Sequence, residues 1–381
     1  MSRLHAVFAP YWCSIQTALF PWVEVPLGPL TNNQQQLVTT LEVVRVEEHL
    51  PSGWQGGPGR PLKDRAAIAR AFVAKAIYGM TTTRMLLDRL ATDAALRRIC
   101  GWEKTREVPS ESVFSRAFAE FAATHVAERV HEALIKRTLH DRVVGHLSRD
   151  GTAIEAREKP VQKPEPPPTP PKKRGRPRRG EEPVPQPPTR LARQPTMTLE
   201  AMCADLPTAC NVGTKRNSQG HQESWIGYKL HMDTADGDIP ISCLLSSASM
   251  HDSQAAIPLA TLSAQRVISL YDLMDSAYDA PEIKAHSRSL GHVPLIDTNP
   301  RRNAALKEEL QVEARRRALI GLPSAEDVRY HERSAAERVN GRLKDEFGGR
   351  YVRVRGHAKV TCHLMFGILA LTANQLMRLI T

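Results

Sequence analysis

The segment WIGYKLHMDTADGDIPISCLLSSA, residues 225–248, indicates how the fold begins, because it has the pattern of two strands joined by a tight turn. Trp225 to Met232 and Ile239 to Ala248 are strand-like runs, and Asp236-Gly237 between them is a strong hairpin signal. We therefore predict that these two runs pair as antiparallel strands.

Further elements are predicted on both sides of this hairpin. Upstream, Val143 to Ser148 has strand character and ends at Asp150-Gly151-Thr152. Downstream, the pattern predicts in turn a helix capped by Asp252 and running through Leu262, a strand Val267 to Met274 that ends in Asp275, a helix Pro281 to Leu290 and a strand Val293 to Ile296. This order predicts a mixed α/β sheet whose first three strands are antiparallel and whose later strands are reached by crossovers.

Residues 59–140 are predicted to form a helical domain. The apolar spacing indicates helices over Lys63 to Tyr78 and Met85 to Ile99, with Gly79 and Gly101 as stops. Ser110 is placed to cap a third helix. Several short helices with tight turns are typical either of a helix-turn-helix-like DNA reader or of a plain helical bundle. We assign the domain to DNA binding and leave residues 1–58 without a function.

Composition narrows the class of protein. The 381 residues carry a net charge of +11, and the pI is about 9.5. No run of 18 apolar residues occurs, so we expect no membrane span, and Leu364 to Ala373 is predicted to be a buried helix. The interrupted apolar residues at the N-terminus argue against a signal peptide. Six cysteines without a CxxC pair favour a reducing cytoplasm, and the basic balance favours nucleic acid as the partner.

The positive charge is concentrated in residues 157–195. Eleven Lys/Arg and four Glu lie between Arg157 and Arg193, and twelve prolines lie between Pro160 and Pro188. Proline fixes φ and removes a backbone donor, so we predict a disordered, proline-rich basic insertion here. Its Arg174-Gly175-Arg176-Pro177 resembles an AT-hook, whose arginines suit a narrow A·T minor groove. A solvated basic tether that attracts phosphates without regard to sequence remains the alternative.

Two acids follow strands of the predicted sheet. Asp150 is expected at the end of the first strand and Asp275 at the end of the fourth. If the two strands are neighbours, their carboxyl ends lie side by side, where α/β sheets place their ligands. Two carboxylates repel each other unless a cation lies between them, and hard oxygen ligands suit Mg²⁺ or Mn²⁺.

A third acid lies on a predicted helix near the C-terminus. At 100° per residue, Tyr330, Arg333, Glu337 and Lys344 project within about 60° of arc. The opposite face carries the apolar Ala336, Val339 and Leu343, which we expect to pack on the sheet. The polar face is interpreted as part of a site, although a solvent-exposed face with i,i+4 ion pairs has the same pattern.

The spacing Tyr-x2-Arg-x3-Glu-x6-Lys resembles the signature of a large branch of bacterial insertion-sequence transposases. These are DDE enzymes with the RNase H-like fold that retroviral integrases share. The resemblance covers roughly residues 140–380. The supporting motifs are Asp150-Gly151-Thr152, Trp225-Ile226-Gly227-Tyr228-Lys229-Leu230-His231, His251-Asp252-Ser253 and Asp275-Ser276-Ala277-Tyr278.

The resemblance implies a function and a set of roles. Asp150, Asp275 and Glu337 would hold two Mg²⁺ or Mn²⁺ ions for DNA cleavage and strand transfer. Tyr330, Arg333 and Lys344 would bind phosphates near the cut. The enzyme would act as a homodimer or higher oligomer on transposon ends and target DNA, with the catalytic core formed by residues 141–156 and 196–381. None of the five tryptophans lies between Asp275 and Glu337, so a DNA hairpin route is not assumed.

Other residues are weaker candidates for DNA contact. Lys229 and His231 alternate on one strand and point toward the site or outward. Arg301 and Arg302 follow the last strand and contact phosphate or belong to a solvated loop. Two rival functions stay open: an RNase H-like nuclease that does not rejoin DNA, and a non-catalytic DNA-binding or architectural protein.

Overall fold

The computed structural model describes residues 29–50, 64–140, 142–162, 187–216, 219–301, 303–321 and 325–379. The AT-hook-like motif with Arg174 and Arg176 lies outside these ranges, and so does Arg302. The predictions that concern those residues therefore stay predictions.

The N-terminal region is helical, as the apolar spacing predicts. Its α-helices are α1 (Asn32–Val44), α2 (Arg65–Ile77), α3 (Thr83–Thr92), α4 (Ala94–Cys100), α5 (Glu111–Ala123) and α6 (Val126–Leu139), with 3₁₀ turns at Val46–His49 and Thr105–Glu107. The single helix expected over Met85 to Ile99 is wrong. Asp93 breaks it, because its carboxylate accepts the backbone N–H of Leu96 and starts α4.

In the described residues, six strands form one mixed sheet. They are β1 (Val143–Glu155), β2 (Asn211–Arg216), β3 (Gln222–Ala235), β4 (Ile239–Ser247), β5 (Ile268–Met274) and β6 (Val293–Ile296). The order is β2-β3-β1-β5-β6, and β4 pairs with β3. The β1–β3 and β3–β4 pairs are antiparallel, and β5 and β6 join in parallel.

This topology confirms the predicted mixed α/β sheet. The hairpin at Asp236-Gly237 is also confirmed, and its turn places Gly237 at φ 76° and Asp238 at φ 59°. Strand β2 was not predicted; it pairs with the first half of β3.

The remaining helices follow the hairpin or flank the insertion. They are α7 (Arg190–Arg193), α8 (Leu199–Ala204), α9 (Ala256–Ala264), α10 (Pro281–Ser289), α11 (Ala304–Ile320), α12 (Ala325–His331), α13 (Ser334–Asp345) and α14 (His357–Arg378), with 3₁₀ turns at Gln194–Thr196, Asp252–Ala255 and Ser276–Tyr278. Helix α7 lies within residues 157–195, and its Arg190 forms an ion pair of 2.7 Å with Asp205.

Helix α14 joins the helical region to the sheet. It packs on α1, α2, α5, α6 and β4, and the ring of its Phe366 lies 5.7 Å from that of Phe72 on α2. The prediction of a buried helix over Leu364 to Ala373 is confirmed. In the described part of the chain, α14 is the one helix long and apolar enough to cross a membrane, but 78% of its apolar window is buried inside the protein.

The two faces of the sheet are covered by different helices. Arg149 and Asp233 form an ion pair of 2.8 Å on one face, and Ser263 of α9 donates a hydrogen bond to the same carboxylate. Asp150 is the next residue after Arg149, so it points to the opposite face, where α13 contacts β1.

Candidate active site

Asp150 lies within β1 rather than at its end. The strand continues to Glu155 because Gly151 to Glu155 pair with His231 to Gly227 of β3. The prediction that the strand ends at Asp150 is therefore wrong. The antiparallel partner extends beyond the point where the parallel partner β5 stops, and only the pairing reveals this.

Asp275 lies near Asp150, just past the end of β5. The parallel pairing of β1 and β5 ends with Ser148 opposite Leu273; Asp150 is two residues further along β1, and Asp275 is two residues beyond Leu273. Asp275 follows the last residue of β5, and its Oδ1 accepts the backbone N–H of Ala277 at 2.9 Å. The predicted proximity of these two acids thus follows from the register of the neighbouring strands.

Helix α13 runs along β1 on the face that carries Asp150. Ser148 Oγ donates to the backbone oxygen of Arg333 at 2.6 Å, and Lys344 Nζ donates to Thr152 Oγ1 at 2.6 Å. Between these two contacts, Asn340 Nδ2 donates to Asp150 Oδ2 at 3.1 Å. Alternate residues of the strand therefore contact the segment that runs from Arg333 to Lys344.

The buried face of α13 explains this placement. The predicted apolar residues Ala336, Val339 and Leu343 are fully buried, so the amphipathic pattern seats the helix on the sheet. The prediction of a single helix from Tyr330 to Lys344 is wrong, however. Tyr330 belongs to α12, and Glu332 and Arg333 form a turn between α12 and α13.

The side chain of Glu337 does not form one cluster with those of Asp150 and Asp275. Its Oε1 accepts a hydrogen bond of 2.9 Å from Arg333, and 58% of its side chain is exposed. Tyr330 also turns to another partner, since its hydroxyl donates to Asp297 Oδ2 at 2.6 Å. The burial of this phenol and its contact with Asp297 raise its pKa, so Tyr330 remains a neutral donor.

Asp150 has more negative than positive charges around it. Burial raises the pKa of Asp150 to about 6, and the nearby carboxylates of Asp275 and Asp252 add to this shift. Burial also raises the pKa of Asp275. Arg333 opposes both shifts, because its positive charge favours the ionised form of each acid. Arg333 is therefore the cation that faces all the acids of the predicted set.

Asp252 is a fourth acid at this site, although the sequence pattern assigned it to helix capping and not to the set of site acids. It was expected to cap a helix, but His251 occupies the capping position and Asp252 begins the 3₁₀ turn. Its Oδ1 lies 2.9 Å from Lys229 Nζ and 3.8 Å from His231 Nδ1. Gly151 leaves room for it, since a Cβ at that glycine would lie 3.0 Å from Asp252 Oδ1.

The weaker candidates for DNA contact have mixed outcomes. Lys229 is directed inward, to Asp252 and to the backbone oxygen of Met250 at 3.0 Å. His231 is fully buried, and burial lowers its pKa to about 4. Arg301 is exposed in the loop after β6, where it donates to the backbone oxygen of Asp279 at 3.0 Å.

Comparisons with known proteins agree with this arrangement. The sequence profile described as "Transposase DDE domain" matches residues 183–373, which is half of the chain. The chain belongs to the transposase DDE domain family. A second profile, "Transposase domain (DUF772)", matches residues 30–120. No curated protein and no solved structure matches the chain significantly.

Membership of this family supports a transposase function and DNA as the partner. The mixed sheet and the N-terminal helical region agree with the RNase H-like fold of DDE transposases, so the predicted fold class is confirmed. Asp275 and Glu337 fall within the matched DDE region, whereas Asp150 precedes it.

The transposase family generally depends on divalent metal ions, and the chemistry of this site suits them. The acids offer hard oxygen donors, as Mg²⁺ prefers. Tyr278 Oη is buried beside these acids without a hydrogen-bond partner in the described residues, which is consistent with room for a further polar group. Yet no three acidic, histidine or cysteine side chains within the described ranges already lie close enough together to hold an ion.

Proposed function

We propose that the chain is an insertion-sequence transposase that binds the ends of its element and catalyses metal-dependent DNA cleavage and strand transfer. The observation that carries this proposal is that Asp275 directly follows β5, the parallel neighbour of β1, and lies close enough to Asp150 for their charges to interact. Asp150 and Asp275, together with Glu337 on α13, form the set of acids that the DDE resemblance implies.

Asp150 and Asp275 would hold the divalent ions, and Glu337 would complete the set. Two Mg²⁺ or Mn²⁺ ions, when bound, would supply activation of the attacking oxygen and stabilisation of the leaving oxygen. Burial keeps Asp150 poorly solvated, which strengthens its attraction to any cation. The exposed side chain of Glu337 is free to turn, at the loss of a single surface ion pair with Arg333.

Arg333 and Lys344 would hold the DNA backbone at this site. Once Glu337 turns away, the guanidinium of Arg333 has donors available for a phosphate, which it suits through paired hydrogen bonds. Lys344 is partly buried beside Thr152, and burial lowers its pKa because the ammonium has lost part of its hydration. A phosphate bound there would compensate for that lost hydration. Tyr330 would act as a neutral hydrogen-bond donor.

Two displacements at phosphorus would follow. In cleavage, a water oxygen attacks the phosphodiester at the element end and the 3′-oxygen leaves with a proton. In strand transfer, that 3′-hydroxyl attacks a phosphodiester of target DNA and the 3′-oxygen of the target leaves. We further propose that the chain acts in the bacterial cytoplasm as a dimer or larger assembly.

The test is a strand-transfer assay with a pre-cut 3′-hydroxyl end, using DNA that flanks the coding sequence as the substrate. Asp275→Ala should retain DNA binding and lose both Mg²⁺-dependent cleavage and joining. Asp345→Ala is the matched control, because Asp345 is an exposed acid on α13 that pairs with Arg350. Persistence of cleavage in Asp275→Ala would refute the assignment, and cleavage without joining in the wild-type chain would identify a nuclease.

A further inference from the structure

A cavity lies between the N-terminal helices and the start of α14. Its volume is about 320 Å³, within the usual range of ligand sites. Helix α2 contributes Phe72 and Lys75, α5 contributes Phe118, and the other wall comes from Arg355, Lys359 and His363. None of these residues belongs to the acidic site.

Lys75 is the unusual member of this cavity. It is 93% buried, since only 7% of its surface is exposed. No hydrogen bond or ion pair of its ammonium occurs in the described part of the chain, and burial lowers its pKa to about 8. The stem of Lys75 is buried while its Nζ is not fully enclosed, since the residue lines the cavity. A lysine desolvated in this way and lacking a protein partner is a candidate to bind an anion.

The other charged groups make the cavity attractive to an anion. Lys359 and Arg355 are exposed at its rim. His363 is neutral, because burial lowers its pKa to about 3, and its Nε2 lies 3.1 Å from the backbone oxygen of Gly348. Glu111 is the single acid of the lining, and Arg84 pairs with it at 3.4 Å.

The cavity also has an apolar wall. The rings of Phe72 and Phe118 lie 4.8 Å apart at their centroids and both line the space beside Lys75. A free inorganic anion would leave this wall without a partner. A phosphate attached to a sugar and a base matches both halves of the cavity, because aromatic side chains stack on such groups.

We propose that this cavity binds one nucleotide unit of DNA, with a backbone phosphate on Lys75 and Lys359 and the sugar or base against Phe72 and Phe118. The DNA partner follows from the transposase family, and the net charge of +11 favours it. The proposal does not depend on the catalytic assignment of the acids. The DNA contact would lie between residues 30–120, which the second profile matches, and α14.

The experiment measures DNA binding by the full chain in EDTA, so that catalysis plays no part. Fluorescence anisotropy follows a labelled duplex and a labelled single strand from the DNA that flanks the coding sequence. Calorimetry follows free dAMP and inorganic phosphate. The variants are Lys75→Met, Lys359→Ala and the control Lys136→Met, whose lysine pairs with Glu132 at 2.6 Å and does not line the cavity.

We expect Lys75→Met to weaken DNA binding about 10-fold and to lower the slope of log affinity against log salt by about one. Lys359→Ala should weaken it about 3-fold, as expected for an exposed phosphate contact, and Lys136→Met should stay within about 2-fold. The melting temperature of Lys75→Met should not fall, because the substitution removes an ammonium that burial partly desolvates.

Several results would overturn the proposal. One is unchanged DNA affinity in both cavity variants. Another is tight binding of dAMP that requires Lys75 while DNA binding does not, since the ligand would then be a free nucleotide. If Lys75→Met does not fold, Lys359→Ala decides the matter, because its side chain is exposed and its replacement leaves the core intact.

Discussion

Asn340 Nδ2 donates a hydrogen bond of 3.1 Å to Asp150 Oδ2, and this contact ties α13 to the strand that carries the first acid. Asn340 is 5% exposed, so water cannot easily replace the bond. It lies one turn after Glu337 on the same helix. The contact therefore fixes where Glu337 lies along β1.

The first prediction concerns this bond. Asn340→Ala should lower the free energy of unfolding by about 1–3 kcal/mol at pH 7, the range for a buried hydrogen bond to a charged group. The loss should be smaller at pH 5, because Asp150 is then mostly protonated and the bond is no longer charge-assisted. Urea unfolding at the two pH values measures the difference, and an equal loss at both would contradict this explanation.

The second prediction concerns the charge of Asp150. Its pKa in the folded chain is about 6, against an ordinary 3.8. The folded state therefore binds more protons than the unfolded state between these values, so stability falls as pH rises through that window. Asp150→Asn should raise the free energy of unfolding at pH 7.5 in EDTA by about 1–3 kcal/mol and reduce the pH dependence over this window, with the remainder due to groups such as Asp275.

Chemical unfolding between pH 4 and pH 8 measures that effect. Asp345→Asn is the control, because Asp345 is exposed on the same helix. If Asp150→Asn is less stable than wild type at pH 7.5 and keeps its pH dependence, the raised pKa of Asp150 is wrong.

The third prediction concerns Arg333. Its ion pair with Glu337 is a half-exposed i,i+4 pair, so loss of that pair alone in Arg333→Gln should change stability by less than about 1 kcal/mol. Loss of its charge beside Asp150 and Asp275 should lower stability further. The same change should reduce DNA cleavage by about 100-fold, the scale for loss of a preorganised charge at a phosphoryl site. Arg317→Gln removes a comparable i,i+4 pair with Glu313 on α11 and should leave cleavage unchanged. Equal activity of the two variants would exclude a role of Arg333 in DNA binding or catalysis.

The fourth prediction concerns Asp252, which the sequence pattern assigned to helix capping. Lys229→Met leaves Asp252 without its cation, and we expect a loss of about 1–3 kcal/mol in the free energy of unfolding without metal. The double variant Lys229→Met with Asp252→Asn should recover most of that loss. Denaturant titrations of the four proteins in the cycle give the coupling energy, and a value near zero would mean that the pair is not coupled.

The sequence predicted the elements whose patterns are local. The hairpin around Asp236-Gly237 and the amphipathic face of Val339 and Leu343 both follow from spacing within one segment. The proximity of Asp150 and Asp275 required only the assumption that the strands before them are neighbours. These features could be predicted from the sequence because a turn signal or an apolar period determines them.

The missed features depend on partners distant in the chain. β1 extends past Asp150 because β3 offers a partner there, and β2 exists because the first half of β3 is long enough to pair with it. The break between α12 and α13 interrupts a continuous helical pattern. Asp252 can lie beside β1 because Gly151, 101 residues earlier in the chain, has no side chain. None of these relationships leaves a periodic trace in the sequence.

The central claim is that Asp150 and Asp275 together hold a divalent ion, and direct metal binding tests it. Electron paramagnetic resonance counts free Mn²⁺ as it is titrated into the full chain and its variants. The account predicts that the wild-type chain and Asp345→Asn bind Mn²⁺ with the same affinity, whereas Asp150→Asn and Asp275→Asn each lose that binding. Mn²⁺ binding of wild-type strength in either of the last two variants would contradict it.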